Sequence, residues 1–437
     1  MRLPPVIITH TEQALREVMR LTGPADSTLS RYFREHPKVG SRERGAVAEG
    51  VYAVLRNRLF YTNFAETGVG PMMRRLTLLG LVDAVGIDSL GGLSEEETEW
   101  LGRFAKIDRS QLPARMRANL PPWLYDKLVE QYGEGEAMEL AEALNQPAPM
   151  DLRVNALKAK RDDVIAALAS APIVSEPTPY APLGLRVHKR PVLQNLPLFK
   201  DGLIEVQDEG SQLLSQIVGA KRGQMVADFC AGAGGKTLAL GASMRNTGRL
   251  YAFDISEKRL AKLKPRLARS GLSNVHPVQI AHENDAKIKR LAGKLDRVLV
   301  DSPCSGLGTL RRNPDVKWRQ SPESLAELTD KQYSILASAA RLVKPGGRIV
   351  YATCSILEEE NESVVSRFLA EHPAFFLVPA KQVLAEQKIE LEMGDYLKML
   401  PHRHHTDGFF GAVLERRIPE KTAPESVEQE DTVPETE

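Results

Sequence analysis

Two cysteines of this chain follow apolar segments that have the composition of buried strands. Cys304 lies in Asp301-Ser302-Pro303-Cys304-Ser305-Gly306, and Cys354 lies in Thr353-Cys354-Ser355. Because parallel strands end at a common edge of a sheet, where ligands bind, we expect the two thiols to lie beside a bound cofactor. A thiolate is a competent nucleophile, so the pair predicts covalent catalysis.

Two other roles compete with this interpretation. A single cysteine at a strand end is more often a small buried apolar residue than a nucleophile. Zinc binding is disfavoured, because neither Cys304 nor Cys354 has a cysteine or histidine partner at the spacing of a zinc site. We therefore predict no metal ion.

A glycine-rich turn, Cys230-Ala231-Gly232-Ala233-Gly234-Gly235-Lys236-Thr237, follows another apolar segment. Such a turn lets the backbone approach a ligand at the N-terminus of the next helix. It fits neither the Walker pattern nor a good GxGxxG pattern. A purely structural tight turn is the alternative.

Acidic residues follow the neighbouring predicted strands and strengthen the case for a cofactor. Asp254 ends the strand after the glycine-rich turn, where an acid accepts hydrogen bonds from ribose hydroxyls. Its other interpretation is a cap for the helix that follows. Asp285 and Asp301 come after the next two strands. Together these acids predict an adenosine-bearing cofactor.

The elements that must position these residues alternate between strand and helix from about residue 206. The predicted strands are 225–230, 249–254, 275–281, 296–301, 347–353 and 409–415, and the predicted helices are 209–219, 236–244, 256–270, 322–343 and 358–371. This alternation predicts an α/β domain with a doubly wound, mostly parallel sheet.

The sequence predicts that the chain divides into four regions. Residues 1–145 show helical periodicity throughout, 146–205 read as a small α+β subdomain, and 206–417 form the α/β domain. Residues 418–437 carry a net charge of −6 against +1 for the whole chain, contain no aromatic residue and are predicted to be disordered. The remaining body is mildly basic at +7, which permits a nucleic-acid partner.

Composition excludes several classes of protein. A chain of 437 residues with 42% hydrophobic and 26% charged residues is typical of globular proteins with more than one domain. No segment approaches ~18 consecutive apolar residues, so no membrane helix is expected, and the N-terminus lacks a secretory pattern. Three cysteines cannot build a disulfide framework, so we expect a reduced, cytoplasmic setting. We also expect a monomer.

The combined motifs resemble the RNA cytosine-5 methyltransferases of the Nop2/Sun type over about residues 145–417. The matching segments are Val206–Gln212, Cys230–Thr237, Asp301–Thr309, Arg312–Asp315, and Tyr351–Ser355 with Glu360-Asn361-Glu362. The helical N-terminus resembles the NusB-like domain of the bacterial enzyme that modifies small-subunit ribosomal RNA. One departure is visible: Gly232 and Ala233 stand where the family turn usually has Ala and Pro.

The resemblance implies S-adenosylmethionine as the cofactor and a cysteine adduct at carbon 6 of cytosine, which activates carbon 5. Spacing alone does not say which thiol attacks, and the Pro-Cys pattern of DNA cytosine-5 methyltransferases would point to Cys304. The resembling RNA family instead implies Cys354 as the nucleophile and Cys304 as the residue that assists release. Asp301 is expected to hydrogen-bond the protonated ring nitrogen 3, and Lys236 to orient the ring or the cofactor carboxylate. The implied cofactor-binding residues are Cys230, Ala231, Gly232, Ala233, Gly234, Gly235, Lys236, Asp254, Asp285 and Asp301.

The expected partner is RNA, with ribosomal RNA favoured, and the target base must leave its stack to reach the thiols. A basic segment, Arg311 to Arg319, contains Arg312, Lys317 and Trp318 and is predicted to contact phosphates and stack on a base; a solvated loop is the alternative. Two other functions stay open: the same chemistry on transfer RNA or DNA, and a non-catalytic RNA-binding assembly factor. The intact cysteine pair argues against the last.

Overall fold

The computed structural model describes residues 2–188 and 191–419. Residues 420–437 of the predicted disordered tail lie outside the described residues. No described helix is long and apolar enough to cross a membrane.

The N-terminal region is helical, as predicted. Its helices are α1 (Val6–Val18), α2 (Ala25–Glu35), α3 (Ser41–Arg56), α4 (Arg58–Ala65), α5 (Met72–Val85), α6 (Glu95–Phe104), α7 (Ala114–Ala118) and α8 (Pro122–Leu144). Helix α6 begins with a capping box, in which the Ser94 hydroxyl accepts from the Glu97 N–H and the Glu97 carboxylate accepts from the Ser94 N–H. Buried apolar side chains between Leu3 and Phe104 form one continuous core.

A small antiparallel sheet follows. Its elements are β1 (Met150–Val154), α9 (Arg161–Ser170), β2 (Ser175–Pro177), β3 (Gly184–Val187), α10 (Pro197–Lys200) and β4 (Ile204–Val206), and the strand order is β2-β3-β1-β4. Leu152, Leu168 and Leu185 lie in its buried core. An α+β unit therefore lies where the sequence predicts one.

The remaining elements build the doubly wound domain. They are α11 (Glu209–Ile217), β5 (Met225–Asp228), α12 (Gly235–Ser243), β6 (Arg249–Asp254), α13 (Glu257–Ser270), β7 (Val275–Gln279), α14 (Ala286–Lys289), β8 (Leu295–Asp301), α15 (Val316–Arg319), α16 (Pro322–Ala340), β9 (Val343–Thr353), α17 (Glu362–Glu371), β10 (Phe375–Val378), α18 (Ala380–Ala385), β11 (Leu397–Met399), α19 (Pro401–His404) and β12 (Phe409–Arg416).

The sheet order is β10-β12-β9-β8-β5-β6-β7, with β11 beside β12. The five strands that lie side by side in the order β9, β8, β5, β6 and β7 run parallel. Strand β12 runs antiparallel to β9, β10 and β11. This confirms the doubly wound, mostly parallel prediction. Strand β9 begins at Val343, ahead of the predicted residue 347, because the Gly-containing segment after Val343 forms an irregularity within the strand instead of a separate turn.

Apolar packing couples the N-terminal helices to the α/β domain. The leucines of α8 share a core with Leu307, Leu310 and Ile356 of the α/β domain, although the predicted boundary at 145 assigns α8 to the helical domain. The boundaries stay a prediction, but α8 fixes the end of the helical region against the loops that carry the cysteines.

Candidate functional site

The two thiols lie in contact at the carboxyl ends of β8 and β9. Cys304 Sγ is 3.2 Å from Cys354 Sγ and accepts a hydrogen bond from the Cys354 N–H at 3.3 Å. Asp301 pairs with Ala352 in the parallel register, so the loops after these residues leave the sheet side by side. Both side chains are half-buried. The structure thus brings together the two cysteines that the sequence placed at one sheet edge.

The charges around the thiols are unequal. The hydrogen bond with Cys354, burial, and the negative charges of Cys354 and Glu360 raise the pKa of Cys304 well above that of a free thiol, and the Cys354 N–H offsets only part of this. Lys236 lies near Cys354, whose charge is among the causes that raise the pKa of Lys236. Cys304 therefore has a carboxylate nearby, whereas Cys354 has a cation nearby.

Lys236 forms an ion pair with Asp301, another predicted site residue. Its Nζ donates to Asp301 Oδ2 at 2.7 Å and lies 5.8 Å from the centre of the Phe409 ring. Burial alone would lower the pKa of Lys236, but the charge and hydrogen bond of Asp301 raise it overall. The ammonium group is therefore charged throughout the physiological pH range.

The glycine-rich turn is held by Asp254 at the end of β6. Asp254 Oδ2 accepts from the Gly232 N–H at 2.8 Å, and Oδ1 accepts from the Ser256 N–H at 2.7 Å. Ser256 itself caps α13 by accepting from the Arg259 N–H at 3.3 Å. Asp254 therefore does not cap the helix directly; it fixes both the turn and the loop before the helix, and it is buried.

Asp228, at the end of β5, was missed by the sequence reasoning. Burial, partly offset by a 2.7 Å hydrogen bond from Thr237, raises the pKa of Asp228 to about 7. Its Oδ1 is buried and has no hydrogen-bond partner among the described residues. The only sequence signal was an acid at a strand end just before Cys230. Burial likewise raises the pKa of Cys230 far above its usual range.

The two cysteines Cys304 and Cys354, the Lys236–Asp301 pair and most of the glycine-rich turn line one cavity of about 670 Å³. Its lining includes Gln207, Asp208, Cys230, Ala231, Gly232, Ala233, Gly235, Lys236, Arg259, Arg266, Asp301, Ser302, Cys304, Thr309, Arg312, Cys354, Asp407 and Phe409. Drug-sized ligands occupy cavities of roughly 300–1,000 Å³, so this one accommodates a nucleoside-sized molecule. Helix α12 begins beside it, and its first N–H groups have no acceptor within the helix.

Three predicted cofactor residues are absent from this lining. Asp254 bonds the Gly232 N–H of the glycine-rich turn, and Gly234, within the turn, is the residue before α12, so both support the shape of the turn. Asp285 is placed further away and caps α14, with its carboxylate accepting from the N–H groups of Ala281 and Lys287, both at 2.8 Å. The structure therefore does not bring Asp285 together with the other candidates, because the loop after β7 turns back on itself.

The basic segment Arg311–Arg319 was predicted to face RNA or solvent, and this is wrong for most of its residues. Lys317 is fully buried, and the Trp318 indole N–H donates to the Leu55 carbonyl at 2.7 Å, packed against the N-terminal core. Arg311 is buried and donates to the Thr406 carbonyl at 2.9 Å. Arg312 lines the cavity and pairs with Asp208 at 2.9 Å and with Asp407. Aliphatic stems and available carbonyls let these cations act as packing residues.

Within the described residues, no group of three or more histidine, cysteine and acidic side chains is arranged to hold a metal ion.

Comparison with known proteins gives consistent matches over most of the chain. Residues 215–415 match the family model described as 16S rRNA methyltransferase RsmB/F, and residues 120–193 match an RsmF/B-like, ferredoxin-like domain. The probable ribosomal RNA small subunit methyltransferase B of Synechocystis is 31% identical over 92% of this chain and 97% of its own length.

Two solved structures share the fold. The crystal structure of PH0851 is 26% identical, with a TM-score of 0.77 over 95% of this chain and 100% of that chain. A methyltransferase homologue from Pyrococcus horikoshii is 29% identical, with a TM-score of 0.60 over 71% of this chain and 100% of that chain. The match to PH0851 extends through the helical N-terminus, which is consistent with the predicted NusB-like domain.

Proposed function

Because the chain belongs to the RsmB/F family of 16S rRNA methyltransferases, we propose that it methylates carbon 5 of a cytosine in small-subunit ribosomal RNA through a covalent bond to Cys354. The observation that carries the proposal is the contact of two thiols, 3.2 Å apart, in a cavity that also holds Lys236 and the glycine-rich turn. A carbon–carbon methylation of an aromatic ring needs such a nucleophile, because cytosine carbon 5 is unreactive by itself.

The resemblance to the RNA cytosine-5 methyltransferases favours Cys354 as the attacking thiol, and Lys236 is a cation near it. The Cys354 thiolate forms a bond to carbon 6, and the electron pair moves to carbon 5. The alternative assignment from the DNA enzymes, with Cys304 as the nucleophile, is separated from this one by the adduct experiment below.

The glycine-rich turn and its neighbours fit S-adenosylmethionine, which supplies the electrophilic methyl group. The free N–H groups at the start of α12 suit a carboxylate, and Lys236 lies beside them. Asp254 lies outside the cavity lining with both oxygens bonded to backbone N–H groups, so its part in the cofactor site is to hold the turn in shape. The cavity volume of about 670 Å³ lies within the range that ligand pockets occupy.

Release of the product needs a base to take the proton from carbon 5; the electron pair of that C–H bond then forms the carbon 5–carbon 6 double bond, and the Cys354–carbon 6 bond breaks to leave the Cys354 thiolate. Cys304 lies next to Cys354, and we assign its thiolate as the base that takes this proton. Asp301, held by Lys236 at 2.7 Å, is placed to bond the ring nitrogen during attack. Arg312, at the rim of the cavity, is the cation of the basic segment that can meet a phosphate next to a flipped base.

Trapping the adduct tests the proposal. A Cys304→Ala protein incubated with 16S rRNA and S-adenosylmethionine should accumulate a protein–RNA complex that survives denaturing electrophoresis. A Cys354→Ala protein and the double variant should form none. Adducts with Cys354→Ala but not with Cys304→Ala would reverse the roles of the thiols.

The substrate class is tested separately. Labelled methyl groups should pass to ribosomal RNA and not to transfer RNA or DNA, and bisulfite mapping of RNA from a deletion strain should reveal one unmodified cytosine. Methylation of transfer RNA alone would leave the chemistry standing and overturn the substrate.

A further inference from the structure

Glu360 is a fully buried carboxylate that no step of the proposed reaction uses. It follows β9 by seven residues, and its side chain is fully buried. A buried carboxylate is costly unless every lone pair has a donor. Its partners therefore indicate what it does.

Both oxygens of Glu360 bond the loops that carry the thiols. Oε1 accepts from the Ser305 N–H at 2.7 Å and from Gln332 Nε2 at 2.9 Å, and Oε2 accepts from the Ser305 hydroxyl at 2.5 Å and from the Ser355 hydroxyl. Ser305 directly follows Cys304, and Ser355 directly follows Cys354. One carboxylate thus joins the two residues next to the two thiols.

We propose that Glu360 is a positioning residue, whose carboxylate ties together the two loops that carry the thiols, at Ser305 and Ser355, and so holds the thiols in the register that covalent catalysis needs. Gln332 extends the same network, because its amide also donates to the Pro303 carbonyl at 3.0 Å. This inference rests on the proposed function and adds a residue to it.

The negative charge of Glu360 has a second effect on the pair. It is one of the causes that raise the pKa of Cys304, after the hydrogen bond with Cys354, burial and the charge of Cys354. The same carboxylate therefore joins the two loops that carry the thiols and helps raise the pKa of Cys304, which makes the Cys304 thiolate a stronger base.

Two variants separate these effects. In Glu360→Gln the amide oxygen can take the place of Oε1, whose donors are fixed N–H groups. The amide NH₂ can take the place of Oε2, because the two serine hydroxyls can rotate to accept. The bridge persists and the charge is lost. In Glu360→Ala both are lost, but main-chain bonds from Ser302 N–H to the Ala352 carbonyl (2.8 Å) and from Gly308 N–H to the Cys354 carbonyl (2.9 Å) still join the loops.

The experiment compares both variants with Glu358→Gln, a matched control at an exposed position two residues away. Methyl transfer by the full-length proteins gives kcat and KM. Alkylation of each cysteine by iodoacetamide across a pH series, read by peptide mass spectrometry, reports the thiols without RNA. We expect Glu360→Ala to lose roughly 100-fold in kcat with little change in KM for S-adenosylmethionine, because a misplacement of about 1 Å has that effect. Glu360→Gln should retain most of kcat.

The alkylation series gives the second readout. In Glu360→Gln the pH dependence of Cys304 alkylation should move down by about one pH unit, since a neighbouring like charge is removed. Three outcomes would overturn the inference. They are a kcat of Glu360→Ala equal to that of the wild type, equal losses of kcat in Glu360→Ala and Glu360→Gln, and an alkylation profile of Cys304 that does not shift in Glu360→Gln. If the wild-type protein methylates no cytosine, the proposed function fails, whereas the alkylation profiles still decide the role of Glu360.

Discussion

At the scale of single residues, the contact between two thiols is the feature from which the chemistry follows. Their sulfurs are 3.2 Å apart, and a disulfide needs only about 2.05 Å, so a small movement joins them. We expect diamide to convert Cys304 and Cys354 into a disulfide, visible as a linked peptide pair with two fewer hydrogens, and to stop methyl transfer until a thiol reductant is added. Each single cysteine-to-alanine variant is a control and should show no linked peptide pair. If diamide produced no linked pair in the wild-type protein, the result would contradict the observed contact between the two sulfurs.

Asp228 gives the fold a pH dependence of known sign. Burial raises its folded pKa to about 7, so the native state binds a proton more tightly than the unfolded chain. Its contribution to stability is fully present below about pH 4, the unfolded value, and is lost as the pH rises through about 7. Asp228→Asn does not titrate, so relative to wild type it should gain up to about 4 kcal/mol in unfolding free energy between pH 4 and 8.

Denaturant unfolding of both proteins at several pH values, without cofactor, measures this difference. Parallel stability curves would show that Asp228 is ionised in the folded protein.

At the scale of elements, two glycines of the glycine-rich turn carry different constraints. Both have positive φ angles, +57° at Gly232 and +84° at Gly234. A Cβ at Gly232 would meet nothing within 4 Å, whereas a Cβ at Gly234 would lie 2.1 Å from Leu263 Cδ1 in the buried face of α13. Gly232→Ala should cost about 1 kcal/mol of backbone strain. Gly234→Ala should cost about 1–3 kcal/mol more, because Leu263 must repack.

Thermal unfolding and binding of a cofactor analogue compare the two alanine variants. Gly234→Ala should lower both by more than Gly232→Ala, and equal effects would show that strain alone limits the turn.

Long periodic segments made the α/β domain predictable, and short or irregular ones did not. Strand β6 matches its predicted bounds and helix α13 begins one residue later than predicted, since each has a clear apolar pattern between turn residues. Strands β2, β3 and β4 have three or four residues and leave no readable alternation. The cysteines were found because strand ends converge in a parallel sheet. Glu360 was noted only as part of a motif, and its role was not predicted, because that role depends on tertiary contacts with Ser305 and Ser355.

At the scale of the whole molecule, one segment links the catalytic loop to the N-terminal helices. The chain from Cys304 to Arg319 starts at the thiol pair and ends beneath the helical region, with the Asp315 carboxylate accepting from the Ala25 N–H at 3.3 Å and Trp318 bonded to Leu55. The orientation of the helical region is therefore set next to the active site. If the helical region binds RNA, it would therefore hold that RNA in a fixed orientation relative to the cavity.

Lys317 is the centre of that junction. Its Nζ donates to the carbonyls of Arg56 (2.9 Å) and Asn119 (2.6 Å) and to Asn145 Oδ1 (2.6 Å), so it meets the C-terminal end of α3 and the residue that caps α8. Burial, together with the charge of Arg56, lowers the pKa of Lys317 well below its usual value. The ammonium group is expensive to bury, but carbonyls at helix C-termini carry partial negative charge that stabilises it.

Lys317→Met keeps the aliphatic stem and removes a donor from the carbonyls of Arg56 and Asn119 and from the Asn145 side chain. Each buried acceptor that loses its donor costs roughly 1–3 kcal/mol, partly offset because a buried charge is removed as well. The junction should therefore loosen while the α/β domain stays folded. Limited proteolysis should cut the variant between the helical region and β1 faster than the wild type, with cofactor-analogue binding unchanged and affinity for ribosomal RNA reduced. Lys262→Met, at an exposed position of α13, is the control. Equal cleavage rates in Lys317→Met and wild type would show that apolar packing around Trp318 and α8 holds the junction without the lysine.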